Sequence, residues 1–472
     1  MQDVNDTPLA LGDARLETLE HGLALILESW RGFDHARPYQ PPITERTHAL
    51  LSEDLPETGV GPHAALDEVS ELLDESLAQV RPRFFGYVGS SGLEMGVLAD
   101  ALAASHDINL AASAAAADLV EKQTLRWVGD FVGFPAGSGA FTSGGMLSNL
   151  TALAAARERA QPGSRIDGCD GRGVVYTSVE AHSSVERAVE VLGFGRRSLR
   201  TIEIDSNRGM RTDVLAAALE HDIGEGRVPV AVVASAGTTL TGAVDPLRAV
   251  AEVCGRHGVW LHVDGAYGLP AAGTPSARAL FDGLELADSA ALDGHKWLFV
   301  PKACGVLLVR NRSDLEAAFS HDAPYIPDID LVEHPVDWTL EYSRPFRALK
   351  LWLALRAHGA SAFRDAIEHD LKLARIVADR VRAADDLELL VEPALSIVPF
   401  RRIPARGDVD EHNRRLVRAL QEDGRLYVTA AMVDGQWCLR PCIVNFRTTV
   451  EDVHALVDIT RDIGRRIEAE SE

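Results

Sequence analysis

Short apolar runs alternate with longer amphipathic stretches between about residues 115 and 310. The short runs predict strands, and the longer stretches, whose apolar residues recur every three or four positions, predict helices. The predicted strands lie at 174–178, 198–204, 230–235, 259–264, 287–293 and 305–309. Strands that alternate with helices indicate a mainly parallel sheet with helices on both faces, an α/β architecture. In such sheets ligands bind at the carboxyl ends of the strands.

The pattern differs at both ends of the chain. Residues 1–80 predict amphipathic helices broken by a proline-rich segment, an arm that packs on a second subunit or on the main body. After Arg347, long helical stretches are followed by short apolar runs and a final helix from Val450. This predicts a small C-terminal α+β domain over 358–472, with an antiparallel sheet, and leaves 81–357 as the large domain.

Composition narrows the function classes. The chain has 472 residues and a formal net charge of −23, which disfavours binding to nucleic acid or to an anionic membrane. The first residues lack the pattern of a secretory signal, and polar residues interrupt the most apolar stretch, 97–117. Five scattered cysteines predict neither a disulfide framework nor a metal site. A soluble cytoplasmic protein is the expectation.

Lysine is rare. Only five of the 47 basic residues are lysines, namely Lys122, Lys296, Lys302, Lys350 and Lys372. Chemistry that needs a primary amine therefore has few candidates. Lys296 is the one that follows a predicted strand, in the segment DGHKW.

Three informative side chains follow predicted strands of one sheet. Asp264 ends the strand 259–264, Lys296 follows 287–293, and His182 follows 174–178. All three are expected at the same edge. Pyridoxal phosphate (PLP) needs such a set: an amine for the Schiff base, a carboxylate at the pyridine nitrogen and a flat group over the ring. Ala266 is small enough to let the other ring face lie close.

A Thr-Ser-Gly-Gly turn before an Ala/Leu-rich helix, with Gly144 and Gly145, suits the cofactor's phosphate, because backbone N–H groups and the helix dipole favour an anion there. Taken singly, such a turn is more often a plain turn, and a histidine at a strand end is more often structural. The ordered set of Gly-Gly turn, histidine, aspartate and lysine carries the PLP hypothesis.

These segments resemble the group II PLP-dependent amino-acid decarboxylases, which include the aromatic-L-amino-acid decarboxylases. The resemblance rests on RPRFFGY, FTSGGMLSNL, EAHSSVERA, AGTTLTGAVDP, LHVDGAYG, DGHKWLFVPKACGVLLVR and PFRALKLWLALR, and it runs from about residue 80 to 357. It implies PLP-dependent transferase fold type I, aspartate aminotransferase-like. It also implies a homodimer with shared active sites and a small-molecule L-amino acid substrate.

The resemblance also implies roles for individual residues. Lys296 would form the Schiff base, Asp264 would pair with the pyridinium, and His182 would stack on the ring. The remaining residues implied to surround the cofactor are Gly144, Gly145, Thr239, Ala266, Asp293 and His295. Tyr87 and Arg347 would line the substrate pocket.

The chain departs from the family pattern at four places. Met146 follows the Gly-Gly turn, where a small hydroxyl residue is common, and Ala114 replaces a proline. Residues 88–90 are small, which weakens the case for an aromatic substrate. Segment 325–338 is short and its interior lacks the tyrosine that reprotonates the α-carbon in aromatic decarboxylases. His334 is a candidate proton donor there, although it is more simply a surface loop residue.

The resulting hypothesis is decarboxylation of an L-amino acid, with an aromatic amino acid as one candidate, to the amine and CO2 through an external aldimine and a quinonoid. An acidic or small polar substrate and a decarboxylating aldehyde synthase are the alternatives. A non-catalytic relative would lose the lysine or the aspartate, and both are present.

Overall fold

The computed structural model describes residues 9–33, 42–77, 79–111, 113–321 and 334–470. The helices of the first half are α1 (Arg15–Arg31), α2 (Glu45–Leu50), α3 (Pro62–Asp74), α4 (Glu94–His106), α5 (Ala116–Val132), α6 (Gly145–Ala160), α7 (Ser164–Asp167) and α8 (Ser183–Val191). Those that follow are α9 (Thr212–Gly224), α10 (Leu247–His257), α11 (Arg312–Phe319), α12 (Ala348–Ala383), α13 (Val409–Asp423) and α14 (Val450–Ala469).

Two sheets organise these helices. The large sheet contains β1 (Ser138–Thr142), β2 (Gly173–Ser178), β3 (Leu199–Ile202), β4 (Val228–Ser235), β5 (Trp260–Asp264), β6 (Ser289–Asp293) and β7 (Gly305–Val309). The small sheet contains β8 (Leu387–Leu389), β9 (Phe400–Arg402), β10 (Ala430–Val433) and β11 (Gln436–Leu439).

The large sheet has the strand order β1-β7-β6-β5-β4-β2-β3. Strands β3, β2, β4, β5 and β6 pair in parallel, whereas β7 is antiparallel to both β6 and β1. This confirms the prediction of a mainly parallel, helix-covered sheet and all six predicted strands. Strand β1 was not predicted, because Ser-Gly-Ala-Phe-Thr has no strand pattern of its own and is stabilised by pairing with β7.

Helix α6 positions one end of the functional site. It packs against α8 and across β4, β5, β6 and β7. Ala152, Ala155 and Ala156 on its inner face are fully buried, and such small side chains let the helix approach the sheet closely. The N-terminus of α6 is thereby held at the carboxyl edge of the parallel strands.

The small sheet is antiparallel, with the order β10-β11-β9-β8, as predicted. Its core is built with α12, α13 and α14 and includes Phe400, Leu416 and Leu456, all fully buried. Helix α12 is interrupted at Gly359, where φ is +75° and ψ is 155°. The predicted domain boundary after residue 357 falls near this interruption, and the boundaries themselves stay predictions.

The N-terminal arm folds as a helix pair. Helix α1 packs on α3, where Nε2 of His21 donates to Oδ1 of Asp67 at 2.7 Å and the His21 ring stacks on the ring of His63. The outer face of α1 leaves four leucines exposed at helical spacing: Leu16, Leu19, Leu23 and Leu27. In the part of the chain that the structure describes, no helix is long and apolar enough to cross a membrane.

Candidate active site

A cavity of about 330 Å³ opens at the carboxyl edge of the large sheet. Three of its polar residues, Ser235, Asp264 and Asp293, are the last residues of the adjacent strands β4, β5 and β6. The lining residues are Ser143, Gly144, Gly145, Met146, Asn149, His182, Ser184, Ser235, Gly237, Thr238, Thr239, Asp264, Ala266, Tyr267, Asp293, His295 and Lys296. Nine of the eleven residues predicted for the site therefore meet in one cavity, because parallel strands end at a common edge.

The amine of Lys296 enters this cavity from the turn after β6. The backbone N–H of Lys296 donates to the carbonyl of Asp293, and its Nζ lies 3.1 Å from Oδ2 of the same aspartate. The other oxygen of Asp293 is buried and has no hydrogen-bond partner among the described residues. A buried carboxylate oxygen without a donor is costly, so this site is built to receive a further polar group.

His295 supplies a hydrogen-bond donor beside the lysine. Its Nδ1 accepts the N–H of Cys304 at 3.0 Å, so a neutral ring carries its proton on Nε2. Burial is the largest influence on the ring and lowers the pKa of His295 below its ordinary value, which keeps it neutral near pH 7. The Nε2 atom lies 3.7 Å from Oδ2 of Asp293.

The start of α6 forms a close-fitting anion cradle. Gly144 precedes the helix, and Gly145 is its first residue. A Cβ on Gly144 would lie 3.3 Å from Cε1 of His295, and a Cβ on Gly145 would lie 2.8 Å from the Cβ of Ala266. The first N–H groups of a helix have no intrahelical acceptor, so they remain available to a phosphate that fits against this surface.

Asp264 is held from two directions. Its Oδ1 accepts the backbone N–H of Ala266 at 3.1 Å, and its Oδ2 accepts Nδ2 of Asn149 at 2.8 Å. The side chain is largely buried but still lines the cavity. An ionised carboxylate accepts about four hydrogen bonds, so lone pairs remain for a donor inside the cavity.

His182 lies at the N-cap of α8, where its Nδ1 accepts the N–H of Ser184 at 3.2 Å. Burial, the largest influence, lowers the pKa of His182 and outweighs the opposing field of Asp264. The ring is therefore neutral near pH 7, with its proton on Nε2. A neutral aromatic ring suits the predicted stacking on a cofactor.

Several cavity residues were not predicted. They include Asn149, Ser184, Ser235 and Tyr267. A signal for Asn149 was present, because it lies four residues after Gly145 and hence on the same helix face. Ser235 is the end of a predicted strand, but nothing in its own residue type distinguished it from an ordinary strand serine.

Two predicted pocket residues do not line this cavity. The guanidinium of Arg347 donates twice to Glu341, at 2.6 and 2.8 Å, at the start of α12. Tyr87 is 47% exposed, and its hydroxyl lies 3.3 Å from that of Tyr427. Their proposed contact with substrate stays a prediction. Another arginine, Arg440, is buried and donates at 2.9 Å to the carbonyl of Thr239 in the cavity wall.

The segment predicted to lack a catalytic tyrosine is described only at its end. Residues 322–333 lie outside the described residues, and the predicted lack of a catalytic tyrosine there stays a prediction. His334 is partly buried, precedes a short 3₁₀ helix (Pro335–Trp338) and does not line the cavity.

The residues present fit PLP. The cavity combines a lysine amine, an aspartate with free lone pairs, a neutral histidine and a glycine cradle at a helix start. The unpartnered oxygen of Asp293 and the space that a Cβ at Gly145 would fill are what such a fit requires. Each group matches one part of the cofactor: aldehyde, pyridine nitrogen, ring face and phosphate.

Comparison with known proteins agrees with this geometry. Residues 45–403 match the family described as pyridoxal-dependent decarboxylase conserved domain. The aromatic-L-amino-acid decarboxylase of Bacillus atrophaeus is 35% identical over 415 residues, which cover 85% of each chain. The L-2,4-diaminobutyrate decarboxylase of Rhizobium meliloti (strain 1021) is 34% identical over 428 residues, covering 88% of this chain and 85% of the relative.

The fold has close structural neighbours as well. The crystal structure of Oryza sativa TDC with PLP and tryptamine superposes with a TM-score of 0.91 at 27% identity, covering 98% of this chain and 99% of that one. Sequence and fold thus agree over nearly the whole chain. The protein belongs to the pyridoxal-dependent decarboxylase family and is a PLP-dependent enzyme.

Proposed function

We propose that the protein removes the α-carboxylate of an L-amino acid, with PLP held through Lys296. The observation that carries the proposal is the placement of the Lys296 amine and the Asp264 carboxylate in the wall of one cavity. Bound PLP supplies an electron sink for the electron pair left when CO2 departs. The cavity residues position the reacting groups around that sink.

Asp264, which lines the cavity, would pair with the pyridine nitrogen of bound PLP. Hydrogen bonds from Asn149 and the N–H of Ala266 orient both of its oxygens, so the carboxylate does not have to reorient during the reaction. With PLP bound, this carboxylate would keep a proton on the pyridine nitrogen.

The phosphate would be held at the start of α6. Gly144 and Gly145 let the backbone approach closely, and the Nε2–H of His295 points a donor toward the same region. The Asp293 carboxylate pairs with the Lys296 ammonium at 3.1 Å and orients the amine. Met146 also lines this end of the cavity, so the backbone carries the recognition that a hydroxyl side chain would otherwise share.

Return of a proton to the α-carbon needs a donor inside the cavity. His334 does not line it, whereas Lys296 and the Nε2–H of His182 do. We assign the proton transfer to these two groups: Lys296 would supply a proton from its Nζ, and His182 would supply one from its Nε2. This assignment makes an amine the expected product even without the loop tyrosine.

The substrate is an L-amino acid. The two relatives act, by their names, on aromatic amino acids and on L-2,4-diaminobutyrate. We propose that a second copy of the chain completes the pocket in a homodimer, and that Tyr87 and Arg347 contribute to substrate selection there. The exposed leucine face of α1 supports association through the arm.

The test is CO2 release from a panel of L-amino acids with added PLP. We expect Lys296→Ala to abolish both turnover and the visible Schiff-base absorbance, and Lys372→Ala, at an exposed lysine of α12, to preserve both. Retention of both signals in Lys296→Ala would overturn the proposal. Amine, aldehyde, ammonia and peroxide are measured together, because formation of the last three would identify an aldehyde synthase instead.

A further inference from the structure

A chain of buried polar groups runs from the core of the large sheet to Asp264. Nε1 of Trp260 donates to Oγ of Ser289 at 2.9 Å, and Oγ of Ser289 lies 2.8 Å from Nδ1 of His262. Nε2 of His262 lies 2.9 Å from Oδ1 of Asn149, whose Nδ2 donates to Asp264. His262 and Ser289 are fully buried, and Asn149 is almost so.

The direction of this chain follows from the donors available. Asn149 donates its Nδ2–H to Asp264, so its Oδ1 can only accept from Nε2 of His262. Nδ1 of a neutral His262 is then an acceptor, and Ser289, whose oxygen accepts from the Trp260 indole, turns its own hydrogen toward it. A neutral His262 then carries its proton on Nε2 and donates to Asn149. The Asn149 amide is left with its N–H groups directed at Asp264 and at Oγ of Ser184.

Neutrality of His262 is consistent with its surroundings. Burial lowers the pKa of His262 to about 4, against the opposing field of Asp264. Every side chain in this hydrogen-bonded series, from Trp260 onward, then has a partner of the correct type. The series ends at Asp264, which is an acceptor. A fully satisfied buried network of this kind favours one arrangement over its alternatives.

We propose that Asn149 and His262 are positioning residues that hold Asp264 with one lone pair reserved for the pyridine N–H of the cofactor. Neither needs to touch substrate. Asn149 would act on Asp264 directly, and His262 would act by preventing the Asn149 amide from turning over. This inference rests on the proposed function only for the presence of PLP, and it concerns cofactor binding rather than turnover.

The experiment compares the binding of PLP and of its 1-deaza analogue, which has C–H in place of the pyridine nitrogen, to the apoprotein. His262→Phe removes the donor to Asn149, whereas His262→Gln keeps an N–H at the place of Nε2. We expect His262→Phe and Asn149→Ala to weaken PLP binding about ten-fold while leaving the deaza analogue within about two-fold. His262→Gln should restore most of the PLP affinity.

Thr177→Val is the matched control, since it removes a buried side-chain hydrogen bond in the same sheet, to the carbonyl of Val233, that does not lead to Asp264. Equal weakening of PLP and the analogue in His262→Phe, or no weakening of either, overturns the inference. Thr177→Val should change thermal stability but should not alter the ratio of the affinities for PLP and for the deaza analogue. Because no turnover is measured, a failure of the decarboxylase proposal would leave this result interpretable.

Discussion

Gly145 and Ala266 face each other so closely that a Cβ on the glycine would stand 2.8 Å from the Cβ of the alanine. Carbon atoms in ordinary contact are about 3.5–4.0 Å apart. The two residues come from different elements, the start of α6 and the turn after β5. Their closeness defines the width of the cavity at the end where the phosphate is proposed to bind.

Gly145→Ala is therefore expected to distort the cradle and to weaken PLP binding at least about ten-fold, corresponding to about 1.4 kcal/mol. Titration of the apoprotein, followed by visible absorbance, measures the change. Gly255→Ala is the control, because Gly255 lies in α10 and a Cβ there would meet no atom of the described residues within 4 Å. The control should bind PLP normally and gain about 0.5–1 kcal/mol of stability. Unchanged affinity in Gly145→Ala would show that the cradle does not hold the cofactor.

Acid should destabilise the protein partly through His262. Because its pKa falls from 6.5 to about 4 on folding, the unfolded chain binds the extra proton between those values. The stability it contributes is present above pH 6.5 and is lost as pH falls, by about 1.4 kcal/mol per pH unit for one proton. Urea unfolding from pH 7 to pH 4 should show a steeper loss in the natural protein than in His262→Gln. Parallel curves would contradict this.

The raised pKa of Asp370 predicts a stability that changes with pH in the opposite direction. It is fully buried, accepts Nε1 of Trp297 at 2.8 Å, and has a pKa raised well above its ordinary value by burial. A raised folded pKa means that stability is complete below about pH 4, the unfolded value, and declines as pH rises.

Asp370→Asn, which cannot ionise, should therefore match the natural protein near pH 4 and exceed it in stability near pH 8. Asp370→Ala should cost about 1–3 kcal/mol by leaving the Trp297 N–H without an acceptor. Asp365→Asn, at an exposed position of the same helix, serves as the control. Its stability should follow that of the natural protein at both pH values. If the natural protein were more stable than Asp370→Asn at pH 8, the raised pKa of Asp370 would be contradicted.

The exposed leucines of α1 test the proposed dimer. Leu19 and Leu23 are 58% and 49% exposed and lie on one face of the helix. If this face is covered by a second copy, Leu19→Asp combined with Leu23→Asp should shift the mass from twice 51.0 kDa toward 51.0 kDa in light scattering. Ile166→Asp, at an 81% exposed position elsewhere, should leave the mass unchanged. A double variant that keeps the mass of the natural protein would exclude this face from the interface.

The sequence pattern predicted much of the large sheet. Runs such as 230–235 and 305–309 consist almost entirely of consecutive apolar residues. Such runs form strands that are buried on both faces of the sheet. Strand β1 was missed because its stability comes from pairing with β7, more than 160 positions later in the chain. A contact at that separation leaves no local periodicity to detect.

In the candidate site, too, local sequence pattern predicted some residues, whereas others are identified only by long-range contacts. Lys296, Asp264 and His182 could be picked out because each follows a strand, and strand ends converge by a general rule of parallel sheets. Asn149 and His262 were not assigned a role, since an asparagine in a helix and a histidine within a strand have many ordinary explanations. Only the distances of 2.9 and 2.8 Å join them to Asp264.

The sequence by itself thus determined the family, the cofactor and the edge of the sheet where the chemistry takes place. These depend on local pattern and on residue types that few other sites combine. The tertiary structure decided which partners orient those residues: Asn149 behind Asp264, Asp293 beside Lys296, and Glu341 rather than the cavity for Arg347. Such pairings depend on how elements distant in the chain pack together, and packing is a property of the folded molecule rather than of any segment.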